Sequence, residues 1–132
     1  LEKHFDNGGK LLGHNIRKFD VPVLKSAMDI FCIKKYLDNP ESYIDTSAIL
    51  SKEHGERYSL SNLVQHTLGS DKLMDSADAP KIWKTGGYSQ VAEYCLKDCE
   101  LVFDLWKHGV ENTSVKGFSL EEAIEKDLEV MW

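Results

Sequence analysis

One succession of segments constrains this chain more than any other feature: a short strand candidate, a helical pattern, then a second strand candidate. Lys10-Leu11-Leu12-Gly13-His14 is the first, placed just after the Asp6-Asn7-Gly8-Gly9 stop. Asp20, in an N-cap position, opens a pattern in which Leu24, Ala27, Met28 and Phe31 share one face, and Pro22 is tolerable in a first turn. That helix is expected to run to about Tyr36, with Pro40 in the loop beyond it. Tyr43-Ile44-Asp45-Thr46-Ser47-Ala48-Ile49-Leu50 then has the β-branched and apolar character of a second buried strand. A strand, helix, strand order implies a parallel pair with a right-handed crossover.

The second half reads as mostly helical. Ser59 or Ser61 can cap a helix carrying Leu60, Leu63, Val64 and Leu68, which Gly69 ends. A polar loop is expected from Ser70 to about Pro80. After Gly86-Gly87 the longest periodic segment starts near Ser89, with Val91, Tyr94, Cys95, Leu101, Val102 and Leu105 on one broad face up to Gly109. A last helix is expected from Ser119, where Ser119 and Glu122 form a capping-box pattern ahead of Ala123, Ile124 and Leu128. At the other end, Leu1 to Phe5 reads as the final turn of a helix, so the chain is expected to be cut from something longer.

Composition narrows the function classes. The 132 residues suffice for one domain, and 42% hydrophobic with 29% charged residues describes a chain able to bury a core. With 16 Lys+Arg against 22 Asp+Glu the net charge is -6, which disfavours a broad electrostatic grip on nucleic acid and leaves a local site or bound cations as the route to one. No apolar run approaches the roughly 20 residues of a membrane span. Three cysteines, Cys32, Cys95 and Cys99, make no disulfide framework, and a reducing, cytoplasmic setting is the expectation.

Two short signals carry chemistry. Asn15-Ile16-Arg17-Lys18-Phe19-Asp20 follows the first strand, and Tyr94-Cys95-Leu96-Lys97-Asp98 lies in the long helix. Tyr94 and Asp98 stand at i and i+4, so a phenol and a carboxylate project from one helix face. A carboxylate on a mostly buried face is costly unless it is paired or binds a cation. Asp20 falls beyond a strand end, where ligands of α/β sheets bind. If the long helix packs across that end, Asp20 and Asp98 converge. Plainer duties exist for each: Asp20 as a helix cap, Tyr94 as a core aromatic, Asp98 as a partner of Lys97 or Arg17. Cys95 and Cys99, one turn apart without a second pair, read as small core residues rather than zinc ligands. His14 reads as structural, and Lys72 and Lys84 as solvated surface.

Asn-x-x-x-Phe-Asp followed by Tyr-x-x-x-Asp resembles the second and third motifs of the DEDDy 3′-to-5′ exonucleases, which have a ribonuclease H-like fold. Position 93 is Glu93, so the family's histidine variant is not matched, and Tyr94 assigns the tyrosine variant. The resemblance implies a partial ribonuclease H-like α/β fold of two parallel strands with four or five helices, the C-terminal portion of a single exonuclease domain. It also implies Mg2+ or Mn2+ held by four carboxylates, with Asp98 a direct ligand of one cation and Asp20 supporting the second. Tyr94 would hydrogen-bond the attacking water, while Asn15 and Phe19 would lie near the terminal nucleotide. Two hard cations suit hydrolysis of a phosphodiester because they lower the water pKa and stabilise the leaving oxygen.

The family's first motif, Asp-x-Glu on the first strand, does not occur among the nineteen residues before Asp20. The resemblance therefore implies a two-metal site completed only in a longer parent, with the chain alone inactive. It also implies an unpaired edge along Leu11 to His14, hence a homodimer through that edge. Two other readings stay open: a catalytically dead exonuclease-like module that binds nucleic acid or protein, and an acidic helical interaction domain.

Overall fold

The computed structural model describes residues 1–27, 31–70 and 77–132. They form an α/β structure of two compact units, Leu1–Arg57 with Trp132, and Tyr58–Met131.

In the first unit, helix α1 (Glu2–Asp6) ends at Asn7 and Gly8, where Gly8 adopts φ +78°. Strand β1 (Leu11–Gly13) pairs in parallel with β2 (Tyr43–Asp45), in the register Leu11 to Tyr43, Leu12 to Ile44 and Gly13 to Asp45. Between the strands lie α2 (Asp20–Ala27) and α3 (Phe31–Leu37), so the expected β-helix-β unit and its parallel pair are present. Of the helix expected from Asp20 to Tyr36, the described parts, α2 and α3, are helical; residues 28–30, with Met28 of its expected apolar face, lie outside the described residues. Phe5, Ile16, Val21, Ile33 and Leu37 form a buried cluster, with Leu11, Leu24, Tyr36 and Tyr43 packed against it. Phe5 stacks on Tyr36 with ring centroids 4.8 Å apart, which fastens α1 to α3.

The strand expected over Tyr43–Leu50 is corrected: β2 stops at Asp45 and α4 (Thr46–His54) begins. Asp45 is the N-cap, accepting the Ala48 N–H at 3.1 Å. Capping outweighs the β-propensity of Thr46 and Ile49, and burial then follows helical spacing, with Thr46 and Leu50 fully buried four residues apart. Gly55 in the left-handed region closes the helix.

The second unit opens with α5 (Leu60–Leu68). Its cap Ser59, its end at Gly69 and its buried Leu60, Leu63 and Val64 match the pattern read from sequence. Next comes α6 (Ala79–Lys84), a short helix at the end of the stretch expected to be loop; residues 71–76 of that stretch, Lys72 among them, lie outside the described residues. The long helix α7 (Tyr88–Asn112) buries Tyr94, Leu101, Val102, Leu105 and Gly109. Cys95 and Cys99 are exposed on it, which corrects their reading as core residues.

The helix expected from Ser119 is absent. The chain there is an antiparallel hairpin of β3 (Ser114–Ser119) and β4 (Ile124–Glu129), against which α5 and α7 both pack through β3. The Ser119 hydroxyl does accept the Glu122 N–H at 3.1 Å, as the capping pattern required, but Ala123 at φ +56° turns the chain back instead of propagating a helix. Val115, Gly117 and Ser119 are buried at period two, as are Leu128 on the returning strand and Val130 just past its end. A buried Leu or Val contributes about 1.5–3 kcal/mol, more than the helix propensity of Leu120–Leu128 gains over a few residues. Counted over the described residues, the fold has seven α-helices and four strands, where two strands and four or five helices were expected.

Candidate functional site

The predicted site residues fall in two sets, one in each unit. Asn15, Phe19 and Asp20 belong to the first. Directly after β1 the chain makes a tight bend: a Cβ on Gly13 would lie 2.8 Å from Ile16 Cβ, so a glycine is needed there. Asn15 follows at φ +65°, a conformation asparagine tolerates better than most residues. Its N–H donates to Asp45 Oδ1 at 2.9 Å, and the Arg17 N–H donates to Asp45 Oδ2 at 3.0 Å. Ile16, between them, is buried in the core cluster. The Arg17 guanidinium lies 5.6 Å from the centroid of the Tyr43 ring.

Phe19 and Asp20 come next, and both are exposed; Phe19 retains 68% of its accessible surface. A phenyl ring left this open is available for stacking on a planar group. Asp20 is the first residue of α2, where a carboxylate is favoured by the helix dipole. Its carboxyl is nevertheless pushed above the usual carboxylate range, first by partial loss of water around it and then by the negative charge of Asp45, against the lowering effect of a backbone hydrogen bond. His14 Nδ1 meets Thr46 Oγ1 at 2.9 Å, and the Thr46 hydroxyl donates to the Gly13 carbonyl at 3.3 Å, so His14 has the structural place expected of it.

Tyr94 and Asp98 form the second set, one turn apart on α7. Tyr94 is buried at 6% exposure; Asp98 is half-buried, its Oδ1 inaccessible to solvent. They share the inward face with Leu101, Val102 and Leu105, as the spacing predicted. Lys97, one of the partners considered for Asp98, reaches Glu100 at 3.8 Å.

Among the described residues no three histidine, cysteine or carboxylate side chains gather into a metal cage. Asp20 and Asp98 each offer hard oxygen donors of the type Mg2+ and Mn2+ select, but a two-metal centre takes more carboxylates than these two. Asp127 and Glu129 on β4 make an Asp-x-Glu on a strand, yet they follow the other motifs in the chain and lie on the hairpin rather than the parallel pair.

Asp45 stands outside the two motifs yet holds the loop that carries the first of them. Its signal was present: an Asp-Thr at the end of a strand, three residues before Ala48, is an N-cap position. No helix among the described residues is long and apolar enough to cross a membrane. No protein-family model, curated protein or solved structure matches the chain.

Proposed function

We propose that this chain carries the second and third motifs of a 3′-to-5′ exonuclease of ribonuclease H-like descent, working in the cytoplasm on the 3′ end of a DNA or RNA strand. The observation that supports it is the presentation of Phe19 and Asp20. A loop fixed by buried groups leaves the carboxyl end of a parallel strand and exposes an aromatic ring beside a carboxylate. That pairing suits a terminal nucleotide, whose base stacks and whose phosphate needs a cation. On this reading Asn15 and Phe19 contact the nucleotide, Asp20 and Asp98 bind Mg2+ or Mn2+, and the Tyr94 hydroxyl orients the water. Bound cations would supply an acidified water and charge stabilisation at the leaving oxygen.

The remaining carboxylates would come from outside these residues, so activity belongs to a longer protein that includes them. A second copy of the chain pairing along β1 is part of the same proposal, because a two-stranded sheet leaves edges able to accept another strand. The test is a strand labelled at its 5′ end, incubated with magnesium or manganese and a protein that joins an Asp-x-Glu strand to this chain. Stepwise shortening from the 3′ end that Asp98→Asn abolishes is expected, and no shortening would overturn the proposal.

A second reading, a catalytically dead exonuclease-like module that binds nucleic acid or protein, is favoured by the lack of a three-ligand group among the described residues. Absence of an Asp-x-Glu strand from the sequence upstream of Leu1 in the full protein would select it.

A further inference from the structure

We propose that Asp45 is the positioning residue of the candidate site: one buried carboxylate holds the Asn15–Asp20 loop at two backbone points and so sets where Phe19 and Asp20 stand. The inference rests on the reading of Asp20 as a site carboxylate, and concerns what keeps it in place.

Asp45 is 5% exposed and closes β2, in register with Gly13, the last residue of β1. Its side chain therefore starts across from the point where the loop begins. Oδ1 accepts from Asn15 and Ala48, and Oδ2 accepts from Arg17. Three backbone N–H groups thus take most of the roughly four acceptor positions of a carboxylate, which makes Asp45 a clamp rather than a cation ligand.

Two further hydrogen bonds carry the constraint forward. Phe19 N–H donates to the Asn15 carbonyl at 3.2 Å, and Val21 N–H donates to the Ile16 carbonyl at 2.9 Å, so the two carbonyls between the clamped amides set the entry to α2. Asn15 holds a left-handed conformation that persists only where surrounding groups enforce it. A helix cap alone would need only one acceptor, which serine provides. The second oxygen, and the second bond on the first, serve the loop.

Amide hydrogen exchange by NMR on the 132-residue chain separates clamp from cap, with MnCl2 as the probe of Asp20. In Asp45→Asn an oxygen remains for Asn15 and Ala48 while an NH2 faces Arg17, so Arg17 alone should exchange about tenfold faster. In Asp45→Ser the cap on Ala48 survives, Asn15 and Arg17 should both exchange about tenfold faster, and Mn2+ broadening of the Asp20 amide should weaken.

Unchanged exchange at Asn15 and Arg17 in Asp45→Ser overturns the assignment. So does a uniform rise that includes Ala48, which would mean general destabilisation. If neither variant folds, the wild-type chain decides: Asn15 and Arg17 must be protected, and exchange there at the rate of an open loop overturns the proposal. Protected amides with the predicted variant pattern but no Mn2+ effect at Asp20 in the wild type would remove the cation site and leave the positioning role standing.

Discussion

The Asn62 side chain brackets the backbone of Phe118: Nδ2 donates to its carbonyl at 2.8 Å, and Oδ1 accepts its N–H at 2.7 Å. One turn and a half further along α5, the Thr67 hydroxyl does the same for Lys116, donating to its carbonyl at 2.9 Å and accepting its N–H at 2.8 Å. Helix side chains thereby complete the outer edge of β3, as a neighbouring strand otherwise would. A hairpin is marginal by itself, and this double attachment helps explain why the segment folds as one here.

Asn62→Ala should accordingly cost about 1–3 kcal/mol, because it strands a part-buried N–H and carbonyl together. Urea unfolding followed by circular dichroism measures it as a lower midpoint with an unchanged slope. A midpoint equal to wild type would show that water replaces the amide without cost.

Glu125 on β4 accepts from His66 Nδ1 at 2.6 Å, and Lys116 lies 4.0 Å from the same carboxylate. These contacts, the His66 hydrogen bond first, hold the Glu125 carboxyl below its ordinary range. A depressed acid stabilises the fold above its unfolded pKa and loses that contribution as pH falls through the folded value. Stability measured from neutral pH down past the ordinary glutamate range should therefore fall less in Glu125→Gln than in wild type. Parallel curves for the two proteins would contradict the assignment.

Tyr94→Phe, in a protein that supplies the missing carboxylates, should slow 3′-end hydrolysis while nucleic-acid binding persists, since the hydroxyl is asked only to orient water. General acid–base and orienting groups contribute on the order of 100- to 10,000-fold. Rates from single-turnover assays check this, and an unchanged rate would return Tyr94 to the role of a core aromatic.

Among the described residues β1 has one strand neighbour, β2, and self-association through the remaining edge is the expected outcome. Sedimentation velocity at high protein concentration should show a dimer. A monodisperse species of 15.0 kDa would contradict it.

What was legible in the sequence followed from local signals that tertiary packing reinforces. Ser59, Gly69 and the apolar stripe between them describe α5 because cap, stop and burial agree. The order of a strand at Lys10–His14, a helix and a strand from Tyr43 was enough for a parallel pair, which forms between Leu11–Gly13 and Tyr43–Asp45. Errors arose where two local signals competed. The strand read over Tyr43–Leu50 ends at Asp45, whose side chain stops it by capping the helix that Thr46–Leu50 enter. Ser119 and Glu122 carry a true capping contact, but buried Val115 and Leu128 select the hairpin, a preference visible only once α5 and α7 are beside it. For the site, the i and i+4 spacing placed Tyr94 and Asp98 on one inward face. The clamp on Asn15 and Arg17 was hidden because it joins residues some thirty positions apart through a single carboxylate.

On the proposed function, Asp20 and Asp98 are the metal-binding carboxylates that this chain contributes. Titration calorimetry with MnCl2 on the wild-type chain, Asp20→Asn and Asp98→Asn tests it most directly. Weak binding by the wild type, markedly reduced in Asp98→Asn and lowered in Asp20→Asn, is the predicted result. Binding of equal affinity in wild type and Asp98→Asn would contradict it.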